Sequence, residues 1–290
     1  MFTHHFDYST TLSNIGCAKH RTQCPFPVLI RPIPGSDLFD GLLPWPYIQL
    51  TDLNELEQLV NHHPSLVTIT GIAAPSSSAD LAMENHRYVQ RYKDHFVYDP
   101  KLPLILGPRT RRHIKNGHKL NSAFNDAKDH PSLAGEIAHI YSQFLKRKNL
   151  PGNFFQFTQN HFEFFCKADC AKIFTTRDRR SNLSAAALGY LDGDSLHLVH
   201  IIISDLGLKN DAGYVLMSKM IDFAVTNALA VFMGAMPSQK TDGLYRFKKR
   251  WSNRLMESYL LKMIVRPKPY LQLCGENPAD DFFPPYRKPP

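Results

Sequence analysis

SLHLVHIIISDLGLKNDAGYVLMSKMIDFAVTNALAVFMGAMPSQKTDGLYRFKKRW, residues 195–251, decides how the chain reads. Its first piece, Leu196–Ser204, is rich in β-branched and aliphatic residues and has the length of a strand. Asp205–Gly213 reads as a turn. Tyr214–Asn227 has a helical period, with Val215, Met217 or Met220, Ile221 and Val225 able to share one face. Ala228–Met236 is a second short apolar run, closed by Pro237. This order predicts two parallel neighbouring strands joined by a crossover helix. A basic, aromatic helix follows over Gly243–Arg254. Ligands of such sheets sit beyond the carboxyl ends of the parallel strands, so chemistry is expected where these two strands end.

The same stretch resembles the core of the GNAT superfamily of acyltransferases: strand, amide-rich turn, helix with a Leu-Met pair, strand. Leu244–Trp251, LYRFKKRW, is similar to the FK-x-x-[FW]-G signature of the FemAB-like branch. Phe247, Lys248 and Trp251 match it, and Ser252 stands where Gly is usual. The R/Q-x-x-G-x-G/A loop that seats a pyrophosphate in the superfamily is degenerate. Gly213 fits its last glycine, but Asp211 holds the first glycine position and Leu208 the basic one. FemAB-like members commonly lack that loop. The resemblance, concentrated in residues 154–254, implies an α/β protein of two GNAT-like halves with mixed central sheets, the second better formed.

Length and composition set the frame. With 290 residues and a 43% apolar share, the chain has material for one large domain or two ordinary ones. No apolar run reaches the length of a membrane span. The start, MFTHHFDYSTTLSNIG, lacks a basic segment followed by an apolar one, so the expectation is no signal peptide and a cytoplasmic location. The five cysteines are scattered, with Cys17/Cys24 and Cys166/Cys170 outside CxxC spacing, so reduced thiols and no metal are expected. Lysine plus arginine outnumber acids 34 to 26. The excess concentrates around Arg109–Lys115, Lys146–Lys148, Arg177–Arg180 and Lys248–Arg250, clusters that suit a polyanion or a solvated surface.

Along the chain, Pro25, Pro27, Pro32 and Pro34 predict an irregular wrap with an edge strand at Val28–Arg31. Tyr47–Leu50 reads as a short strand. Thr51 caps a helix over Asp52–Asn61, aided by Glu55, and Leu66–Ile72 is a strand. This unit corresponds to the degenerate first half. After a polar break at Pro75–Ala79, Arg87–Tyr98 reads partly as strand and Gly107–Lys119 as a basic helix. Pro131–Asn149 is an amphipathic helix stopped by Pro151-Gly152, and the boundary between halves is expected there: 1–150, 151–275, and a tail 276–290. Phe154–Phe165 is dense in aromatics and reads as core packing where aromatic strands begin, with part of it able to line an acyl or substrate pocket. Lys172–Thr176, Ala185–Leu191 and Leu196–Ser204 form an antiparallel run, with a hairpin at Asp192-Gly193-Asp194. Tyr259–Val265 and Tyr270–Cys274 read as closing strands, and Asn277–Pro290 as an extended tail.

Amine acylation needs a held donor, a free amine, a stabilised oxyanion and a proton for the leaving group. GNAT-type enzymes transfer directly, and no GxSxG elbow or cysteine nucleophile motif is present. The resemblance implies an N-acyltransferase or aminoacyltransferase, with acyl-CoA, acyl carrier protein or aminoacyl-tRNA as donor, an amine as acceptor and no permanent cofactor. The alternative is a GNAT-fold binding module without catalysis. Lys248 is the residue the FK motif marks for contact with the donor and its developing charge. Tyr245, three residues earlier, is the candidate proton donor. His200 is a candidate base; at three residues' separation, His197 and His200 are expected on opposite faces of their strand. Ser204, Asp211, Ala212, Gly213 and Tyr214 are the candidate donor-binding residues, with Asp211 a helix cap. Arg111, Arg112 and Lys115 are candidate contacts to a phosphate or acidic substrate.

Overall fold

The structure is a computed structural model, and it describes residues 6–20, 24–77, 87–125, 127–128, 130–149, 154–237, 243–275 and 282–288. The chain divides into two compact units. One takes residues up to 93 together with those from 257 onward, and the other is the inserted segment 94–256.

In the first unit the strands are β1 (Cys17–Lys19), β2 (Val28–Pro32), β3 (Phe39–Leu42), β4 (Thr68–Ala73) and the main part of β11 (Arg254–Ile264), in that spatial order. Neighbours are antiparallel except β3 and β4, which pair in parallel across the helix α2 (Asn54–His62), α1 being Phe6–Thr10. The early strand-helix-strand unit is therefore present, but β3 supplies its first strand. Tyr47–Leu50 contributes one bridge, Ile48 to Ala73. β2 is not an edge strand, because β1 covers it. Glu55 reaches back to the Thr51 amide at 3.0 Å and to its hydroxyl at 2.9 Å, and the helix begins at Asn54.

Two expectations fail at the C-terminal end. Tyr270–Cys274 belongs to a helix, Pro267–Cys274, because Pro267 and Pro269 fall in its first turn, where no amide donor is needed. The tail, where it is described, is docked rather than extended. Arg287 bonds the fully buried Asp40 through Nε at 2.8 Å and Nη2 at 2.9 Å, opposite Arg31 at 2.9 Å. Tyr286 shares a 2.6 Å hydrogen bond with Thr68.

In the inserted unit the order is β5 (Val89–Tyr98, entering at Asp94), β10 (Ala230–Ala235), β9 (Ser195–Ile203), β8 (Leu183–Asp192), β7 (Ala171–Asp178) and β6 (Asn121–Phe124). β6 to β9 are successively antiparallel, and a two-residue turn with Gly193 at φ 56° joins β8 to β9. β9 and β10 are parallel, as their crossover demands. The connection holds a short helix, α6 (Asp205–Lys209), where a turn was expected, and then α7 (Ala212–Thr226). Leu216, Met217, Met220 and Ala224 of α7 are buried with Ala185, Ala187, Leu196 and Leu198 on one sheet face. The other face carries α4 (Leu133–Lys148) and α5 (Gln159–Lys167). Phe154–Phe165 is thus half helix: His161, Phe162 and Phe165 at helical spacing are its buried stripe. The boundary expected at Leu150-Pro151-Gly152 falls outside the described residues, and α4 and α5 on either side of it lie in one compact unit.

Candidate functional site

The parallel pair parts company midway. Ala230, Val231 and Phe232 pair with Ser195, Leu196 and His197, where the pairing with β9 ends, while on its other edge β10 stays paired with β5 from Val231–Tyr98 to Ala235–His95. β9 runs on to Ile203. Two irregularities produce this. β9 carries a bulge at Val199, since Leu188 faces His200 while Gly189 faces Leu198. A Cβ on Gly189 would stand 2.5 Å from the His197 carbonyl oxygen, so only glycine leaves room for the bulged strand. β10 turns at Gly234, with φ 81°.

Lys248 sits at that turn. It lies on α8 (Gly243–Trp251), which leads on from β10, and its half-buried ammonium donates to the Ala235 carbonyl at 3.0 Å. A Cβ on Gly234 would be 3.3 Å from Nζ. Burial lowers the Lys248 pKa to about 8. Tyr245, one turn earlier, is half-buried, with its ring edge-on to Phe96 at 5.4 Å.

The candidate donor loop is packed from within. The Ser204 hydroxyl caps α6, accepting from the Gly207 amide at 2.9 Å. Asp211 takes a left-handed conformation, φ 57°, and its carbonyl accepts the amides of Tyr214 and Val215. Ala212 and Gly213 are buried, and a Cβ on Gly213 would meet Ile203 at 2.5 Å. Over this start of α7 lies α3 (Pro108–His118), through Gly117 against Val215 and Asp211. His113 of α3 donates from Nδ1 to the Asp211 carboxylate at 3.0 Å and stacks on Tyr214 at 4.6 Å. The Tyr214 hydroxyl accepts from Arg250 of α8 at 2.6 Å. Arg111, Arg112 and Lys115 are exposed on α3.

His200 lies on the α4/α5 side of the sheet. The expectation that it and His197 face apart is overturned, because the extra residue at Val199 returns both to the face of Leu188 and Tyr190. His200 shares a 2.8 Å Nε2–Nε2 hydrogen bond with His161, inside rings of Tyr141, Phe157, Phe162 and Phe165. Burial holds both imidazoles neutral: His200 falls to about 3 and His161 well below its ordinary value, the latter helped by His200. His197 stacks between Tyr190 and Phe232, and burial lowers it likewise to about 3.

Sequence reasoning missed His113, which stood inside the RTRRHIK run read only for its cations. It also missed a cleft of about 870 Å³ between the first half of α4, the β7–β8 turn and the start of α6. There Arg177 bonds Glu136 at 2.6 Å. Ser204 and Asp205 close the side nearest the end of β9.

No family model and no curated protein matches the sequence. Solved structures do match in shape. FemX superposes with a TM-score of 0.66 over 94% of both chains at 10% identity. L-PGS from Bacillus licheniformis gives 0.59 over 90% of this chain and 88% of its own, at 13% identity. The C-terminal domain of a putative lysylphosphatidylglycerol synthetase from Agrobacterium fabrum gives 0.58 over 90% and 89%, at 10% identity. At such identities the likeness is one of fold. By its parted parallel strands, its two mixed-sheet units and this likeness along nearly its whole length, the chain has the FemAB-like form of the GNAT fold.

Proposed function

We propose that the protein transfers an acyl or aminoacyl group from an activated ester or thioester to an amine, in one direct step. The observation that carries this is the end of β9–β10 pairing at His197 and Phe232, with the Lys248 ammonium fixed on the β10 turn just beyond it. A carbonyl lying there has strand edge on one side and a cation on the other. As the amine attacks, the carbonyl oxygen gains charge, and Lys248 stabilises it. The tetrahedral centre then collapses with loss of the donor's oxygen or sulfur, which Tyr245 protonates, and the amine's extra proton passes to solvent or substrate. His200, enclosed by aromatic rings, has a positioning role in this reading: with His161 it braces β9 behind the bulge. Ser204 and Asp211–Tyr214 shape the donor side, and Arg111, Arg112 and Lys115 meet phosphate.

Among donors, an aminoacyl-tRNA ester is favoured over CoA. The start of α7, where the fold seats a pyrophosphate, is covered here by α3 and carries the Asp211 carboxylate. Thermal melts against CoA, acyl-CoAs, acyl carrier protein and charged tRNA test this. Charged tRNA should raise the melting temperature with concentration. A rise with CoA alone would reverse the donor assignment, and no transfer from any of these donors to amines would leave a binding module.

A further inference from the structure

Leu104 and Leu106 pack inward against the core of the inserted unit, and Ile105 between them is 86% exposed. A side chain clamped outward by both neighbours is a fixed prong. Leu102, 43% exposed, and Leu255, 50% exposed, extend the apolar surface. They belong to one corner, because Asn253 donates to the carbonyls of Asp99 and Leu102, both at 2.9 Å. Cations frame it: Lys101 on one side, and Arg109, Arg111, Arg112 and Lys115 on α3 directly after it. α3 carries no acid. The one acid of the corner, Asp99, is held ionised by the Lys101 amide and by Arg254 at 3.0 Å, so Arg254 cancels its charge.

We propose that this corner docks the protein on an anionic lipid bilayer, with Ile105 and Leu102 entering the headgroup boundary and the α3 cations meeting lipid phosphates. Aliphatic prongs beside exposed cations that form no ion pair among the described residues fit that medium, since the prongs gain by leaving water while the cations stay at the charged surface. Nucleic acid is the poorer partner: phosphates would suit α3, but single-stranded bases are held by stacking on flat rings, and the prongs are aliphatic. Arg111, Arg112 and Lys115 are shared with the phosphate contacts of the transfer reaction proposed above, whereas Ile105 and Leu102 have no part in it, so the Ile105 variants test docking apart from transfer.

The test is co-sedimentation of the full chain with vesicles of phosphatidylcholine alone, or containing roughly one-third phosphatidylglycerol. Binding is expected to the anionic vesicles only, and to weaken as salt shortens the screening length. Ile105→Asp should lower apparent affinity about tenfold or more. Ile105→Ser, a milder change, should lower it less while keeping the melting temperature. Val225→Asp alters another exposed aliphatic residue, at the far end of α7, and should change nothing. Equal binding to both vesicle types, no binding to either, or an Ile105→Asp protein that binds as the unaltered chain does would each overturn the proposal. So would tRNA binding with no vesicle binding.

Discussion

The Lys248 ammonium and the Ala235 carbonyl oxygen stand 3.0 Å apart, one on α8 and the other on the turn of β10. The bond aims a cation that its own helix would otherwise leave free to swing. Such a preorganised charge acts on the transition state more than on binding. Lys248→Ala should therefore lower turnover about a hundredfold with little change in KM. Lys249, exposed and resting over the Tyr245 ring at 5.9 Å, should matter far less when replaced by alanine. Because Lys248 titrates near 8, turnover should also fall as pH rises through that value. Equal small losses from both variants would remove Lys248 from the mechanism.

Acid should unfold the inserted unit early. His197 and His200 titrate near 3 in the fold against an ordinary 6.5, so between those values the unfolded chain binds more protons. Stability is full above about pH 6.5 and falls as pH drops below it, by up to about 1.4 kcal/mol per pH unit for each imidazole. Melting curves at neutral pH and near pH 5 check this. Equal midpoints would mean these rings are not buried as described.

Gly189→Ala should destabilise by about 1–3 kcal/mol, since its Cβ would meet the His197 carbonyl across the strand pair. Gly243→Ala, facing open space, should be nearly neutral or mildly stabilising. Denaturant midpoints of the two variants decide it, and similar values would argue against the bulge.

Arg287→Ala should cost the first unit about 3 kcal/mol, because it strips two of the three arginine hydrogen bonds from a fully buried carboxylate. Arg287→Lys should recover little, since one ammonium cannot replace the two-pronged contact. A chemical-denaturation series on the full chain reads both.

Much of this was legible locally. Period and β-branching marked β9, α7 and β10, and the Asp192-Gly193-Asp194 turn marked the β8–β9 hairpin. Phe154–Phe165 misled because aromatic density outweighed the three- and four-residue spacing of His161, Phe162 and Phe165. Tyr270–Cys274 reads as a strand by its apolar residues, but Pro267 and Pro269 just before it begin a helix, a place that suits proline. The bulge at Val199 has no signal within β9; its permissive residue, Gly189, lies on another strand. The contact between His113 and Asp211, 98 residues apart, exists only once α3 lies on α7. Lys248 was found through a motif, yet its partner is a backbone carbonyl, which no sequence pattern displays.

The two units differ in how the ribosome delivers them. The inserted unit is continuous, and all its strands are available once Met256 has emerged. The first unit is split: β4 needs β11 beside it, and Asp40 needs Arg287. At about 5–20 residues per second, roughly ten to thirty seconds of translation separate the two portions. During that interval β4 has an open edge and Asp40 has only Arg31, so the early segment is the one exposed to chaperones and to mispairing while its completion is still being made.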